Sequence, residues 1–403
     1  MSVFYLIFIA LAIYFSIRYD GIEGYDSHKQ HRLWLVCIYL ICLAGFSYGI
    51  GGDKFSYMEE FEYYPDTFAD AKFIILKGLF LRGQMPLWTI VNLVCKLLFH
   101  SFYAVQFTES IVINTAVCFF ISRYTHRYFL TLLLYFLSLQ YFLFNVEVMR
   151  EGFALGFALI GMHCWMRGRR WQFAIMIFLA LTAHISAFIV LLFPFLRFKA
   201  SWLTLCIAIL ATFVLWAVSD RILGDILGAV MGTGTLGTKV MYYTLQTSSF
   251  PALIVHDFRY LILPYIMMYT AIIFEPSEQM RKDKERLLAF FTVLAVLVSG
   301  IPGLSRFYNY SYIFYFILTA EFIYMLFRFK EFLAIRIGTV LLSAFFVSQH
   351  YRVYYESSDS YFYEMYYPYT CILNEDADVD FRKVAHKESL MPVLKDKNVR
   401  KIE

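Results

Sequence analysis

Long apolar stretches recur along most of this 403-residue chain. A helix needs about 20 mostly apolar residues to cross the hydrocarbon layer of a bilayer. The chain is 60% apolar and only 16% charged, which is more apolar material than one soluble core of this length uses. The sequence therefore predicts an all-α, polytopic transmembrane helical bundle with about 10–12 membrane helices. The candidate runs are 2–17, 33–50, 84–99, 102–121, 128–145, 147–166, 171–195, 201–219, 252–274, 286–300, 307–327 and 332–349.

Lysine and arginine in short loops indicate which loops stay in the cytoplasm. The basic loops are 18–32, 123–127, 167–170, 281–286 and 328–336. Alternating crossings fit these loops if the chain is re-entrant near 68–82 and is broken near His184, within 171–199. Irregular backbone at membrane depth survives only inside protein or beside a wet cavity, so such breaks hint at a site. The alternative is that one basic loop violates the rule.

Beyond the membrane runs, the sequence offers little material for a second folded domain. We divide the chain into a helical domain, 1–350, and a tyrosine-rich interfacial segment with a polar tail, 351–403. The basic residues form short clusters between apolar runs, which does not indicate a nucleic-acid partner. The expected environment is the lipid bilayer.

Two motifs resemble ligand sites but lack the context that such sites need. Residues 232–237 spell Gly-x-Gly-x-x-Gly, yet no strand of a βαβ unit precedes them and Lys239 is one residue off a phosphate-loop spacing. His28 and His31 lie in a basic loop without further ligands. We expect no cofactor and no metal ion.

Four polar segments stand at the ends of apolar runs that we predict to face outward. Charged groups there are costly unless they pair or face a cavity, so each is a functional hypothesis. Asp53 and Tyr57 follow a Gly-Gly turn, and Arg150 opens a helix next to Glu151. The guanidinium of Arg150 suits phosphate oxygens, unless Glu151 pairs with it. A Gly-Gly-Asp turn is also ordinary loop chemistry.

The other two segments are a histidine and a second helix-opening arginine. His184 interrupts an apolar run, and its imidazole is able to accept a proton near neutral pH, although packing is the commoner role of such a histidine. Arg306 follows Pro302 and Gly303, which end the preceding helix. Arg259 is a weaker companion because His256 and Asp257 stand beside it.

Taken in order, these segments resemble the pattern of the EpsG family, membrane proteins related to Wzy-type O-antigen and capsule polymerases. The matching patterns are Gly-x-Asp-x-x-x-Tyr at 51–57, Arg-x-x-x-Ala at 150–154, His-x-Ser-Ala at 184–187, Arg-x-Tyr at 306–308 and Pro-Tyr at 368–369. The chain departs from the family in two places. Glu151 stands where the family is expected to have glutamine, and Met85 replaces a frequent glutamate before proline.

The resemblance implies a glycosyltransferase that polymerises oligosaccharide repeat units carried on polyprenyl diphosphate. It places the protein in the bacterial inner membrane as a multi-pass protein, with other polysaccharide assembly proteins as partners. It assigns Arg150 and Arg306 to the diphosphate, and His184 or Asp53 to deprotonating the acceptor hydroxyl. Tyr57 and its neighbours would contact sugars, with Glu151, Arg259 and Tyr308 as further binding residues.

Three alternatives stay open at the level of sequence. A flippase or secondary transporter of lipid-linked sugars shares the composition and basic residues, although no paired inverted repeat is evident. A membrane glycosyltransferase adding a single sugar would use acidic residues in its first outward loop, and Asp53, Glu59 and Glu60 satisfy that need. A noncatalytic assembly subunit is the third alternative.

Overall fold

A computed structural model gives the architecture of the chain. It describes residues 3–72, 85–218, 249–328, 337–341, 344, 348, 365–373 and 382–384. Over these residues the regular structure is helical, and the β-type pairing consists of one isolated bridge between Ser47 and Cys371. The predicted all-α class is therefore confirmed.

The described helices run along the chain in the following order. They are α1 (Val3–Tyr19), α2 (Ser27–Gly45), α3 (Asp53–Glu62), α4 (Pro86–Phe99), α5 (Phe102–Tyr124), α6 (Tyr128–Leu137), α7 (Gln140–Glu147), α8 (Met149–Met166), α9 (Arg170–Ala183), a 3₁₀ helix (Ile185–Phe195), α10 (Trp202–Val218), α11 (Phe250–Asp257), a π turn (Phe258–Ile262), α12 (Leu263–Ile273), α13 (Glu278–Gly300), a second 3₁₀ helix (Pro302–Ser311) and α14 (Tyr312–Arg328).

Several of these helices have membrane-helix character. By length and composition, Phe102–Tyr124 and Leu304–Arg328 are each able to span a bilayer. The pair α6 and α7 passes the same test together, although the two halves are bent by 78°. Shorter apolar helices, including α1, α4, α9 and α10, surround them. The total of about 10–12 membrane helices stays a prediction.

Helix α8 lies at the centre of the bundle. Most of its residues from Met149 to Met162 are buried, and it packs against both α5 and α9. Its neighbours contribute a continuous apolar core that includes Val117, Phe314 and Ile317. The first turn of α8 carries Arg150 and Glu151, so the rigid central helix fixes the position of both side chains.

The described helices are interrupted at four places, and the sequence indicated two of them, the break near His184 and the one at Pro302 and Gly303. The predicted break near His184 is confirmed, because α9 ends at Ala183 and a 3₁₀ helix begins at Ile185. The run 128–145, predicted as one helix, is instead divided at Ser138 and Leu139, where Leu139 has a φ of +63°. Two more breaks are the π turn before α12 and the 3₁₀ helix before α14.

Two predicted segments lie partly or wholly outside the described residues. Residues 68–72 are helical, but the rest of the predicted re-entrant stretch up to 82 is not described. The glycine-rich segment 232–237 and Lys239 are not described either. Conversely, α3 occupies residues where the sequence indicated a loop, and it carries Asp53 and Tyr57 on a regular helix.

The basic loops meet one another at one end of the helices. The ammonium group of Lys29 donates a hydrogen bond to the carbonyl of His126 at 2.6 Å. Arg167 pairs with Asp283 at 3.2 Å, and Arg328 pairs with Glu23 at 3.3 Å. Arg150 lies at the opposite end of α8 from Arg167, about 25 Å away at 1.5 Å per residue.

The C-terminal segment packs back onto the loop between α2 and α3. The amide of Tyr48 donates to the carbonyl of Thr370 at 2.9 Å, and the amide of Gly51 donates to the carbonyl of Met365 at 3.0 Å. The buried guanidinium of Arg382 donates to the carbonyl of Gly49 at 3.0 Å. Residues 365–373 therefore brace the loop that leads into α3.

Replacing Gly168 by alanine is expected to lower the free energy of unfolding by about 1 kcal/mol. Gly168 ends α8 with a φ of +75°, and no atom lies within 4 Å of an added Cβ, so backbone strain is the whole cost. The thermal unfolding midpoint of the purified protein in detergent measures the loss. Gly168→Asn should be closer to wild type, because asparagine adopts this conformation more readily. Equal stability of the alanine variant would contradict the assigned turn.

Candidate functional site

The start of α3 is anchored to the segment just before Arg150. The Glu147 carboxylate accepts hydrogen bonds from the amides of Gly52 at 2.7 Å and Asp53 at 3.0 Å. The hydroxyl of Tyr366 donates to the same carboxylate at 3.1 Å. A carboxylate at a helix N-terminus satisfies amides that have no partner within the helix. These bonds hold Asp53 close to the beginning of α8.

Gly51 is required for the close approach that makes this anchoring work. It has a φ of +91°, a conformation that other residues rarely adopt. A Cβ built on it would lie 2.5 Å from the carbonyl oxygen of Val146, a backbone atom that cannot easily move away. The first glycine of the Gly-Gly-Asp segment therefore serves the contact between two chain segments as well as the turn.

Arg150 is positioned by an aromatic ring and partly balanced by a carboxylate. Its guanidinium carbon lies 4.8 Å from the centroid of the Tyr57 ring, within the range of a cation–π contact. Its Nη1 lies 3.9 Å from a carboxylate oxygen of Glu60, and a third of the side chain is exposed. The sequence-based alternative was a pair with Glu151. The described structure pairs Arg150 with Glu60 instead.

His184 is held by a chain of hydrogen bonds at the break after α9. Its Nδ1 accepts from the amide of Ser186 at 3.3 Å and lies 2.6 Å from the hydroxyl of Ser186. That hydroxyl in turn lies 2.9 Å from the hydroxyl of Tyr310. Because a backbone amide always carries its proton, Nδ1 must be the unprotonated nitrogen, and a neutral ring carries its proton on Nε2.

This tautomer limits what His184 is able to do. A neutral imidazole with its proton on Nε2 donates a hydrogen bond from that atom and cannot accept one there. The free side of the ring is therefore a donor, suited to a phosphate or sugar oxygen. With this tautomer we favour the partly exposed Asp53 carboxylate over His184 among the two proton acceptors that the sequence named.

Arg306 is exposed on the 3₁₀ helix that precedes α14. Two interactions connect this 3₁₀ helix to α8. The side-chain amide of Asn309 donates a hydrogen bond to the Glu151 carboxylate at 3.2 Å, and the charge of Arg306 acts on the same carboxylate. Glu151 is buried, with a relative exposure of 1%. The glutamate that replaces an expected glutamine therefore faces Arg306 and Asn309, while Arg150 turns toward Tyr57.

The structure brings six of the eight predicted residues into one neighbourhood. Both Arg306 and Arg150 act electrostatically on His184, with Arg306 the stronger. Tyr57 interacts with Arg150, Asp53 and Arg306. Segments far apart in sequence, from α3, α8, the break after α9 and the second 3₁₀ helix, thus converge at one end of the bundle. The chemical roles of these residues stay predictions.

Tyr308 and Arg259 occupy different surroundings. Tyr308 is buried, its hydroxyl donates to the carbonyl of Tyr260 at 2.9 Å, and its ring packs against Phe291. Arg259 lies in the π turn with its guanidinium carbon 5.1 Å from the Tyr260 ring. The described contacts therefore assign Tyr308 to packing, and Arg259 lies beside Tyr260.

The sequence did not assign to this site five residues that help to build it, although Ser186 stands in the 184–187 motif and Glu60 in the single-sugar transferase alternative. Glu147, Ser186, Asn309 and Tyr366 hold the predicted residues in place, and Glu60 faces Arg150. Glu147 had a usable signal, since a carboxylate three residues before Arg150 inside an apolar run is costly unless it has partners. Within the described ranges, no group of three or more His, Cys, Asp or Glu side chains is placed to hold a metal ion.

Comparison with known families identifies the chain. The profile of the EpsG family matches residues 32–371, which includes every segment that contributes to the site. Comparison with curated proteins finds no match. Comparison with solved structures finds none either. Together with the apolar helices of the bundle, the match shows that the chain belongs to the EpsG family of exopolysaccharide-related membrane proteins.

Proposed function

We propose that this protein polymerises oligosaccharide repeat units carried on polyprenyl diphosphate, by glycosyl transfer at the site around Arg150. The single observation that carries the proposal is the convergence of two guanidinium groups and one imidazole, from three separate segments, at one end of the bundle. A diphosphate is the substrate group that such a set of donors suits best. The inner membrane of a bacterium is the proposed location.

The proposed reaction is a glycosyl transfer from the donor diphosphate to an acceptor hydroxyl. The acceptor hydroxyl of one repeat unit attacks the anomeric carbon of the sugar attached to the donor diphosphate. The new glycosidic C–O bond forms, the bond between the anomeric carbon and the phosphate oxygen breaks, and polyprenyl diphosphate leaves with the electron pair. The proton of the acceptor hydroxyl passes to the Asp53 carboxylate.

Arg150, Arg306 and His184 stabilise the departing diphosphate in this proposal. Negative charge develops on the leaving group, and donors already fixed in a poorly hydrated cleft are most effective there. Arg150 is fixed by the Tyr57 ring, and His184 presents its Nε2 proton because Nδ1 is occupied. Arg306, exposed on the second 3₁₀ helix, completes the set.

An apolar surface beside His184 is available to contact the lipid part of the proposed substrate. The 3₁₀ helix Ile185–Phe195 repeats about every three residues, so positions three apart share one face. On that face Ile185, Phe188 and Leu191 are all exposed, and Phe188 packs edge-on against Phe307, the neighbour of Arg306, at 5.2 Å. The prenyl chain attached to the diphosphate would have this surface to lie against.

Replacing Asp53 by asparagine is expected to reduce turnover by at least about 100-fold, because the proton acceptor is lost. Binding of the lipid-linked donor should change little. His184→Gln should keep more activity than His184→Ala, since an amide is able to donate to the oxygen that Nε2–H contacts. The measurement uses purified protein in detergent with lipid-linked repeat units, and it separates donor binding from single-turnover polymer formation.

The opposite pattern would overturn these assignments. A mild Asp53→Asn variant together with equally inactive His184→Gln and His184→Ala variants would make His184 the base. In cells lacking the native protein, an enzyme defect leaves short surface chains with single repeat units. Accumulation of lipid-linked units on the cytoplasmic face would instead support a transporter.

A further inference from the structure

A cavity lined by basic and apolar side chains lies at the other end of α8, about 25 Å from Arg150 along the helix. Its volume is about 650 Å³, within the range of small-ligand sites. Arg123, at the end of α5, and Arg167 and Arg169, between α8 and α9, line it together with His163. This cavity shares no residue with the site proposed for polymerisation, and its function is independent of that proposal.

The cavity carries a concentrated positive charge. All three guanidinium-bearing residues line the same cavity as His163. The residues that line the cavity include no carboxylate, and Asp283 approaches from the side to pair with Arg167 at 3.2 Å. Arg123 and Arg169 leave more positive charge than this one carboxylate offsets. An anion with more than one acceptor oxygen would complete the arrangement.

The backbone that carries these exposed arginines is fixed by local contacts, and the Arg123 side chain packs on an aromatic ring. Gly168 turns the chain sharply, and the amide of Arg169 donates to the carbonyl of Cys164 at 2.9 Å, which closes the end of α8. The guanidinium carbon of Arg123 lies 5.1 Å from the centroid of the Phe119 ring. His163 is fixed by a 2.8 Å hydrogen bond between its Nδ1 and the hydroxyl of Tyr124.

The surroundings indicate a ligand that is part charged and part apolar. Phe119, Ile160 and Met176 form an apolar wall next to the arginines. Trp171, 85% exposed, stands at the start of α9, where an interfacial aromatic residue would lie at the level of lipid headgroups. The cavity is at the end of the bundle where the basic loops meet, which the distribution of lysine and arginine assigns to the cytoplasm.

We propose that this cavity binds the phosphate headgroup of an anionic phospholipid from the cytoplasmic leaflet. The arginines contact the phosphate oxygens, and the acyl chains lie along the apolar wall. Basic pockets between membrane helices on this side are suited to anionic headgroups, which are also concentrated in this leaflet. A soluble phosphate shares the headgroup chemistry but would gain nothing from the apolar wall.

The test measures thermal unfolding of the full chain, purified in a neutral detergent, during titration with dioctanoyl phosphatidylglycerol. Dioctanoyl phosphatidylcholine and inorganic phosphate are titrated in parallel. The double variant Arg123→Gln/Arg169→Gln removes the two arginines without a described carboxylate partner. Arg170→Gln is the control, because it removes one positive charge from an exposed neighbour that packs on Trp165 and does not line the cavity.

We expect the anionic lipid to raise the unfolding midpoint of wild type and of Arg170→Gln at the same concentrations. The double variant should need at least about tenfold more lipid for the same shift, which corresponds to about 1.4 kcal/mol. Equal protection of the double variant would overturn the site. Protection by inorganic phosphate as strong as that by the lipid would overturn the lipid source, and protection by phosphatidylcholine would overturn the requirement for charge.

Discussion

Replacing Arg150 or Arg306 by glutamine is expected to reduce polymer formation by at least about 100-fold for each variant. Glutamine keeps a hydrogen-bond donor but loses the positive charge and the two-pronged geometry that matches a diphosphate. The charge matters most when the leaving group departs, so single-turnover transfer should fall further than donor binding. Purified variants with lipid-linked repeat units, followed by sizing of the products, measure both quantities.

A lysine variant and a control variant at a third arginine are compared with these glutamine variants. Arg150→Lys keeps the charge but cannot contact two oxygens side by side, so it should recover only part of the lost activity. Arg259→Gln is the matched control, because Arg259 lies against Tyr260 and is not seen to act on His184. Activity near wild type in Arg150→Gln, or an equal loss in Arg259→Gln, would contradict the assignment of the diphosphate to Arg150 and Arg306.

Folding defects must be separated from the loss of charge at Arg150. The guanidinium packs on Tyr57 and faces Glu60, so its removal also changes the contact between α3 and α8. The thermal unfolding midpoint of each variant reports this contribution. Tyr57→Leu provides a comparison, since it removes the ring beneath Arg150 but keeps the charge. It should weaken activity less than Arg150→Gln does.

The sequence predicted the membrane class and the convergence of the arginines because both follow from strong physical constraints. Long apolar runs have few alternatives to membrane helices, and charged residues at their ends need a partner or a cavity. Arg150 opens a helix in the structure as predicted, and the chain breaks at His184 as predicted. These are positions where a polar residue interrupts an apolar pattern.

The contacts that build the site were harder to predict because they depend on distant segments. The bend between α6 and α7 falls in an apolar run with no glycine or proline, so hydropathy gave no sign of it. Glu151 was weighed as a partner of its neighbour Arg150, yet on a helix adjacent residues point in different directions. Tyr308 was named for its place in a motif, whereas its neighbour Asn309 contacts Glu151.

The segment around residue 368 illustrates a motif whose role only the fold explains. A short Pro-Tyr pattern near the end of the sequence does not by itself indicate a chemical role. In the structure, Tyr369 donates to the carbonyl of Leu43 at 3.0 Å, and Tyr366 reaches Glu147. These contacts stabilise the loop before Asp53, so the segment that carries the motif helps to position the site.

Lys54, a residue of α3, and Glu109, a residue of α5, are two buried ionisable side chains. Both side chains are fully buried, and each acts electrostatically on the other. The ammonium group of Lys54 donates to the carbonyl and hydroxyl oxygens of Ser47, at 2.9 and 3.2 Å. Among the described residues, neither carboxylate oxygen of Glu109 has a hydrogen-bond partner. Glu109 therefore has no described hydrogen bond, and the charge of Lys54 is the described interaction that favours its ionised form.

Replacing Lys54 by methionine is expected to destabilise the protein by about 1–3 kcal/mol, because it removes the buried donor to the Ser47 oxygens and the positive charge that acts on Glu109. The double variant Lys54→Met/Glu109→Gln should recover much of this loss, since it removes both charges. Unfolding in detergent measures all the variants. The exposed pair of Lys282 and Glu278 is the matched control, and Lys282→Met should change stability little. If the double variant were as unstable as Lys54→Met alone, the loss would come from the bonds to Ser47, and the charge of Glu109 would not be its cause.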